Sequence, residues 1–238
     1  LPQDHTVKYH IEVEFEGLGT FTTTNFTSHA GTMGVSTDFA FPILALTNTP
    51  FGDTRVKQAK AEVIIESGVR RARIEKAQMP RTTYKPGEKV TVRIQWFHLR
   101  SQPTYTEATY DLKLPADIPD GEYQLVVGGV QAHLGALKME KPHWWRIETL
   151  PDALAAKNLA GSFSEDRLYL HLTLTDGGLA VGRTEMPELP SFRQKIIADA
   201  KRNDVQPYQQ SISTEYETGF VVDGSQSFKL RISRKNEY

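Results

Sequence analysis

The sequence predicts a mainly β chain: an immunoglobulin- or fibronectin-like β-sandwich followed by a smaller α+β unit. Three observations carry that prediction. The first is Tyr84-Lys-Pro-Gly-Glu-Lys-Val-Thr-Val-Arg-Ile94. Here Pro86 presets φ and Gly87 tolerates a positive φ, which makes a turn. Val90, Val92, Ile94 and Trp96 then share one face of a strand, with Thr91, Arg93 and Gln95 on the other. The second is the same grammar repeated: Pro119-Asp120-Gly121 turns the chain into Tyr123, Leu125 and Val127. The third is the run Val7, Tyr9, Ile11, Val13 and Phe15 alternating with Lys8, His10, Glu12 and Glu14, the pattern of a half-buried strand.

The remaining elements follow in order. Gly17-Leu-Gly19 reads as a hairpin-like break, and Thr20 to Thr27 is rich in β-branched and aromatic residues. Residues 28–37 are small and polar, as a loop would be. Asp38 to Thr47 fits either a short helix or a buried strand, and Asn48 to Asp53 is a turn cluster. Ala61 to Ile65 and Val69 to Met79 read as strands broken near Ser67-Gly68. Ala108, Tyr110, Leu112 and Leu114 make another alternating strand, and Gly128-Gly129 ends the one begun at Tyr123.

Val130 to Glu148 reads as a linker or excursion. A short helix follows, with Thr149 as N-cap, Pro151 in the first turn, Asp152 at the third position, and Leu154 and Leu159 to bury it. Leu168, Leu170, Leu172 and Leu174 alternate with Tyr169, His171 and Thr173, and Asp176-Gly-Gly178 suggests a hairpin turn into Leu179 to Val181. Ser191 with Gln194 suits a capping box for a helix whose face is Phe192, Ile196 and Ala200. Strands near 212–222 and 227–232 complete the reading. The expected division is a β-sandwich region over 1–145 and a small α+β domain over 146–238. The first span also admits two small β domains split near residue 80.

Composition narrows the function. With 39% hydrophobic and 24% charged residues, the 238-residue chain is an ordinary folded protein. A net charge of −1 lacks the basic excess of a nucleic-acid binder. No apolar run approaches the roughly 18 residues of a membrane span, and no signal peptide opens the sequence. Leu1 in place of Met points to a chain processed or cut from something longer. The absence of cysteine excludes disulfides, cysteine-ligated zinc and a cysteine nucleophile.

Catalytic signals are weak. Neither a G-x-S-x-G elbow nor an S-x-x-K occurs, and Ser225 sits in a plain hairpin turn, Asp223-Gly-Ser-Gln-Ser227. The seven histidines are dispersed, without H-x-H or H-E-x-x-H spacing. Gly17-x-Gly19 lacks the third glycine and the helix of a phosphate cradle. No catalytic residue, metal ligand or cofactor is assigned.

Two clusters are candidates for binding. Arg70, Arg71 and Arg73, with Lys76, Arg81, Lys85 and Lys89, form either a solvated face or a surface for an acidic partner or polysaccharide. His143, Trp144 and Trp145 on an extended segment would point to alternate sides. They either seal the junction of the two parts or offer an aromatic platform to a sugar or peptide. Asn25-Phe26-Thr27 is a glycosylation sequon.

Several phrases together carry a resemblance: Tyr84-Lys-Pro-Gly-Glu-Lys-Val, Leu114-Pro-Ala-Asp-Ile-Pro-Asp-Gly-Glu-Tyr-Gln-Leu, Asp166-Arg-Leu-Tyr-Leu-His-Leu and Glu185-Met-Pro-Glu-Leu-Pro-Ser. In this order, over roughly residues 7–233, the chain resembles the region downstream of the peptidase domain in bacterial proteins of the sporulation-factor IVB (S55) serine-peptidase type. That family's G-x-S-G-S-P nucleophile motif has no match here, so no catalytic residue carries over. The resemblance implies a non-catalytic interaction or scaffold region of a larger exported or envelope-associated bacterial protein, periplasmic, in the cell envelope or secreted. Such a region would position a peptidase or protein partner. A carbohydrate-binding module with an aromatic platform is the alternative, and a hydrolase with a dispersed active site the third. The expected partner is a protein or polysaccharide, with no nucleic acid, no cofactor and no membrane span in this chain.

Overall fold

The structure, a computed structural model, describes residues 5–28, 33–99, 102, 104–187 and 204–235. It is mainly β: among the described residues, thirteen strands accompany three α-helices, α1 (Met33–Thr47), α2 (Val130–Glu140) and α3 (Leu150–Gly161). Among the described residues, no helix is long and apolar enough to cross a membrane.

The N-terminal strands β1 (His5–Phe15), β2 (Gly19–Ser28) and β3 (Val56–Ser67) form an antiparallel sheet in the order β2-β1-β3. The β1–β2 hairpin closes tightly, with Phe15 opposite Gly19, and Gly17 supplies the positive φ that the turn requires. Val7, Tyr9, Ile11, Val13 and Phe15 are all buried, as their alternation predicts. Helices α1 and α3 pack against this sheet, and Leu46, Ala153 and Leu154 join its core.

Residues 33–37, expected in a loop, are helical. Val35, Phe39, Ile43 and Leu46 repeat at helical spacing and all meet the sheet's core. Gly34 lets the helix approach β2, since a Cβ there would lie 3.0 Å from Thr27 Oγ1. The small residues therefore serve close packing rather than a turn.

The larger body has two sheets. One runs β12-β4-β6-β7, from β4 (Arg71–Gln78), β6 (Lys89–His98), β7 (Thr104–Lys113) and β12 (Val221–Asp223). The other runs β10-β9-β8-β13-β5, from β5 (Thr83–Tyr84), β8 (Gly121–Gly128), β9 (Arg167–Val181), β10 (Thr184–Met186) and β13 (Ser225–Ile232). Strand β11 (Val205–Glu217) pairs with β9 off this path.

Side chains from both sheets enter one apolar cluster: Val90, Val92, Ile94 and Trp96 of β6, Tyr123, Leu125 and Val127 of β8, Leu168, Leu170 and Leu172 of β9, and Leu230 and Ile232 of β13. Each fully buried aliphatic side chain of this kind contributes roughly 1.5–3 kcal/mol. The turn that introduces β6 forms as expected: Gly87 has a positive φ, and the Glu88 N–H donates to Lys85 O at 3.1 Å.

Two expectations are corrected. Val130 to Glu140 is helix α2, not a linker. Its buried stripe is Val130, His133, Leu137 and Glu140, at helical spacing but half polar, which hides the pattern from an apolar count. Asp176-Gly177-Gly178 is not a turn; β9 runs straight through it for 15 residues. A Cβ at Gly177 would stand 2.2 Å from Tyr208 O, and one at Gly178 2.6 Å from Met186 O. Both glycines admit neighbouring backbone. The turn comes later, at Gly182, where φ is positive. The helix expected from Ser191 to Ala200 lies outside the described residues.

Candidate functional site

The arginines do not form a free basic patch. Arg70 pairs with Glu66 at 2.9 Å, and its backbone N–H is held by Ser28 Oγ at 2.8 Å. Arg71 makes a two-pronged pair with Asp223, the Nη2–Oδ1 arm being 2.8 Å. Arg73 pairs with Glu75 at 2.8 Å and lies over the Phe97 ring. Arg81 and Lys89 have carboxylate partners too, Glu88 and Asp111.

His143, Trp144 and Trp145 lie in a 3-10 turn, Pro142–Trp145, so the extended-segment argument for their opposite directions does not hold. His143 is fully buried, and its Nε2 lies 3.1 Å from Glu185 Oε1. Burial outweighs Glu185 and holds the His143 pKa below the ordinary histidine value. Both tryptophans are half-buried. Lys141 Nζ stands 4.1 Å from the Trp144 ring centroid and Lys138 Nζ 5.1 Å from that of Trp145. Each indole thus has a cation over it, and Lys141 is itself anchored to Glu185 at 3.0 Å.

Two of the dispersed histidines do meet. His171 on β9 and His133 on α2 are buried with their Nδ1 atoms 3.0 Å apart. His171 Nε2 lies 2.8 and 2.9 Å from the two oxygens of buried Glu140, which also accepts from Thr173 Oγ1 at 2.5 Å. Burial alone would raise the Glu140 pKa, yet these hydrogen bonds and the His171 charge hold it below the usual carboxylate value. An ionised carboxylate only accepts, so the His171 Nε2–H donates to Glu140, while the two Nδ1 atoms share a single hydrogen bond. Burial, then His171, hold His133 down at about 4, and its ring stacks on Tyr169 with centroids 4.5 Å apart. This relay is sealed and bolts α2 to β9. Among the described residues, no group of three or more His, Cys, Asp or Glu is placed to hold a metal ion.

A cleft lies where the N-terminal sheet meets the body, as two hollows of about 230 and 330 Å³ that share Asn25, Asp38, Gln131 and Glu165. Tyr9 Oη donates to Asp38 Oδ2 at 2.6 Å, and Asn25 Nδ2 donates to the same oxygen at 3.0 Å. Burial and Asp38 both raise the Tyr9 pKa, so the hydroxyl keeps its proton. Asn25 Oδ1 accepts the backbone N–H groups of Phe26 at 2.8 Å and Glu165 at 3.0 Å. The sequon asparagine is thus an internal strut. Burial, then the Asp38 and Asp223 charges, outweigh the Gln131 hydrogen bond and Arg71 and push the Glu165 pKa up. Tyr9 and Asn25 thus donate to Asp38, Gln131 to Glu165 and Arg71 to Asp223, and Lys157 also lines the cleft. Its residues come from β1, β2, α1, β4, α2, α3, the loop before β9 and β12, and no local sequence pattern announces them.

The most open feature is β3. All but one of its twelve residues are exposed, and its only strand partner among the described residues is β1. Val63, Ile64 and Ile65 are 45%, 61% and 46% exposed, a contiguous apolar group on a strand that is an edge among the described residues. The sequence carries a signal for it: alternation fails at Val63-Ile64-Ile65, where three apolar residues follow one another. Comparison of the chain with protein-family models, with curated proteins and with solved structures finds no match in any of the three.

Proposed function

We propose that this chain is a non-catalytic interaction region of a larger exported or envelope-associated bacterial protein, which positions a peptidase or another protein, and that its partner docks along β3. One observation carries the reading: a twelve-residue strand that lies at a sheet edge among the described residues, accompanied by exposed Val63, Ile64 and Ile65. Unpaired strand edges of this length template strand addition, and monomers usually blunt them. In this reading the two-sheet body is an immunoglobulin- or fibronectin-like sandwich that holds the N-terminal sheet rigid. The ion-paired arginines and the lysine-covered tryptophans favour a protein over a polysaccharide as partner.

The test is site-specific photo-cross-linking in the producing bacterium. A benzophenone side chain at position 64 is expected to give protein adducts, and one at the exposed position Thr109 on β7 none. Equal labelling from both positions, or none from position 64, refutes the docking strand. Hydrolysis of a peptide or glycoside library by the purified chain, abolished by a point substitution, refutes the non-catalytic reading.

A further inference from the structure

Resting on that reading of β3, we propose that the occupant is a second copy of this chain, whose β3 pairs antiparallel with the first about a two-fold axis at Ala61. The register of β3 on β1 sets the geometry. Ala59 opposes Val13, Ala61 opposes Ile11, Val63 opposes Tyr9 and Ile65 opposes Val7, so the odd-numbered residues from Ala59 to Ile65 share the face of the buried core, and a bulge at Lys57 ends the alternation. Gln58, Lys60, Glu62 and Ile64 lie on the other face with Lys8, His10, Glu12 and Glu14.

Opposed residues in a sheet point to the same side, so a two-fold joint that keeps both apolar faces together pairs odd with odd and even with even. Three centres then use most of the strand: Lys60, Ala61 and Glu62. A centre at Lys60 sets that ammonium against its own copy, and a centre at Glu62 does the same with two carboxylates. Like charges directly opposed destabilise a pair. The centre at Ala61 instead sets Lys60 of each copy against Glu62 of the other.

Lys60 and Glu62 already lie 2.7 Å apart within one chain, so the joint makes a quartet of alternating charge. The same register pairs residues 58–64, short of the bulge at Lys57, and sets Ala59 against Val63, small against large, on the apolar face. The product is a continuous six-stranded sheet, β2-β1-β3 followed by β3-β1-β2 of the second copy, with no free β3 edge. The charges that exclude the neighbouring registers are the ones that reward this one.

Sedimentation velocity on the 238-residue chain tests it. A species of twice the chain mass is expected at low salt, weakening as salt rises. Lys60→Glu and Glu62→Lys each weaken association by roughly tenfold or more. An equimolar mixture of the two variants restores it, because each altered residue then faces its opposite. Both side chains are exposed, and an unchanged urea midpoint verifies that the variants fold.

A wild-type chain that stays monomeric at about 100 µM overturns the proposal. So does a mixture that stays apart, or a loss caused by Lys60→Glu alone, which would mark a joint centred at Val63 with Lys60 against Glu66. If the purified chain is monomeric while position 64 still cross-links to a different polypeptide, the docking strand stands and the second copy falls. Failure of both removes the strand as well.

Discussion

Strands β6 and β3 are of similar length and both are rich in β-formers, yet they live differently. β6 lies between β4 and β7, and every second residue from Val90 to His98 is buried. Among the described residues β3 has β1 on one side only, and its most apolar stretch is exposed. The difference teaches that apolar character measures what a strand can bury, while position in the sheet order decides what it does bury. β6 spends its apolar face inside the molecule; β3 holds one in reserve.

Four measurements can break or sharpen that contrast. The largest effect is expected from Trp96→Ala on β6. This residue packs edge-on against Tyr110 and Phe220 and is almost fully buried. Its loss should lower the unfolding free energy by about 3–5 kcal/mol in urea titration, and a change under 1 kcal/mol would deny that β6 anchors the core.

Next comes acid. His133 is held at about 4 in the fold against 6.5 for an unperturbed histidine. Between those values the unfolded chain binds a proton that the folded chain refuses. Stability is therefore complete above pH 6.5 and falls as the pH drops towards 4, by about 3 kcal/mol. Glu140, whose pKa is depressed, adds a loss of the same sign below its ordinary value of 4.5. Chemical denaturation at pH 7 and pH 4.5 measures the slope, and His133→Phe should flatten it; an unchanged slope would place the proton elsewhere.

Third, Gly177→Ala should cost about 2 kcal/mol, because its Cβ would run into the Tyr208 carbonyl of β11. A silent substitution would mean that β9 and β11 separate readily. Smallest of all, Ile64→Ala on β3 should change the stability of the isolated chain by less than about 0.5 kcal/mol. A cost comparable with that of Trp96→Ala would show that β3 is already covered.

Strands with one buried face were legible from alternation alone: β1, β6 and β8 all bury the residues that their patterns single out. The α3 cap was legible too, because Thr149 and Asp152 satisfy each other locally, in reciprocal side-chain-to-backbone bonds. Features built from distant residues were not. Helix α2 escaped because His133 and Glu140 occupy core positions, where their partner His171 comes from β9. Gly177 and Gly178 looked like a turn because a sequence does not display the backbone that will lie against them. Arg71 looked free because Asp223 lies far along the chain. The cleft draws on eight separate segments, whereas the apolar run at Val63 was visible and only its exposure was not.

Strand β13 sits between β8 and β5, and Leu230 and Ile232 fill the middle of the shared core. Translation proceeds from the other end. Until the ribosome has delivered residue 232, β8 has only β9 beside it and, among the described residues, β5 lacks its strand partner. The N-terminal sheet waits only for α3, which is complete by residue 161. Closure therefore comes late and joins segments far apart in sequence, the circumstance in which chains fold slowly. A nascent chain stopped short of β13 presents an unfinished apolar face where Leu230 and Ile232 belong, the kind of intermediate that holding chaperones recognise.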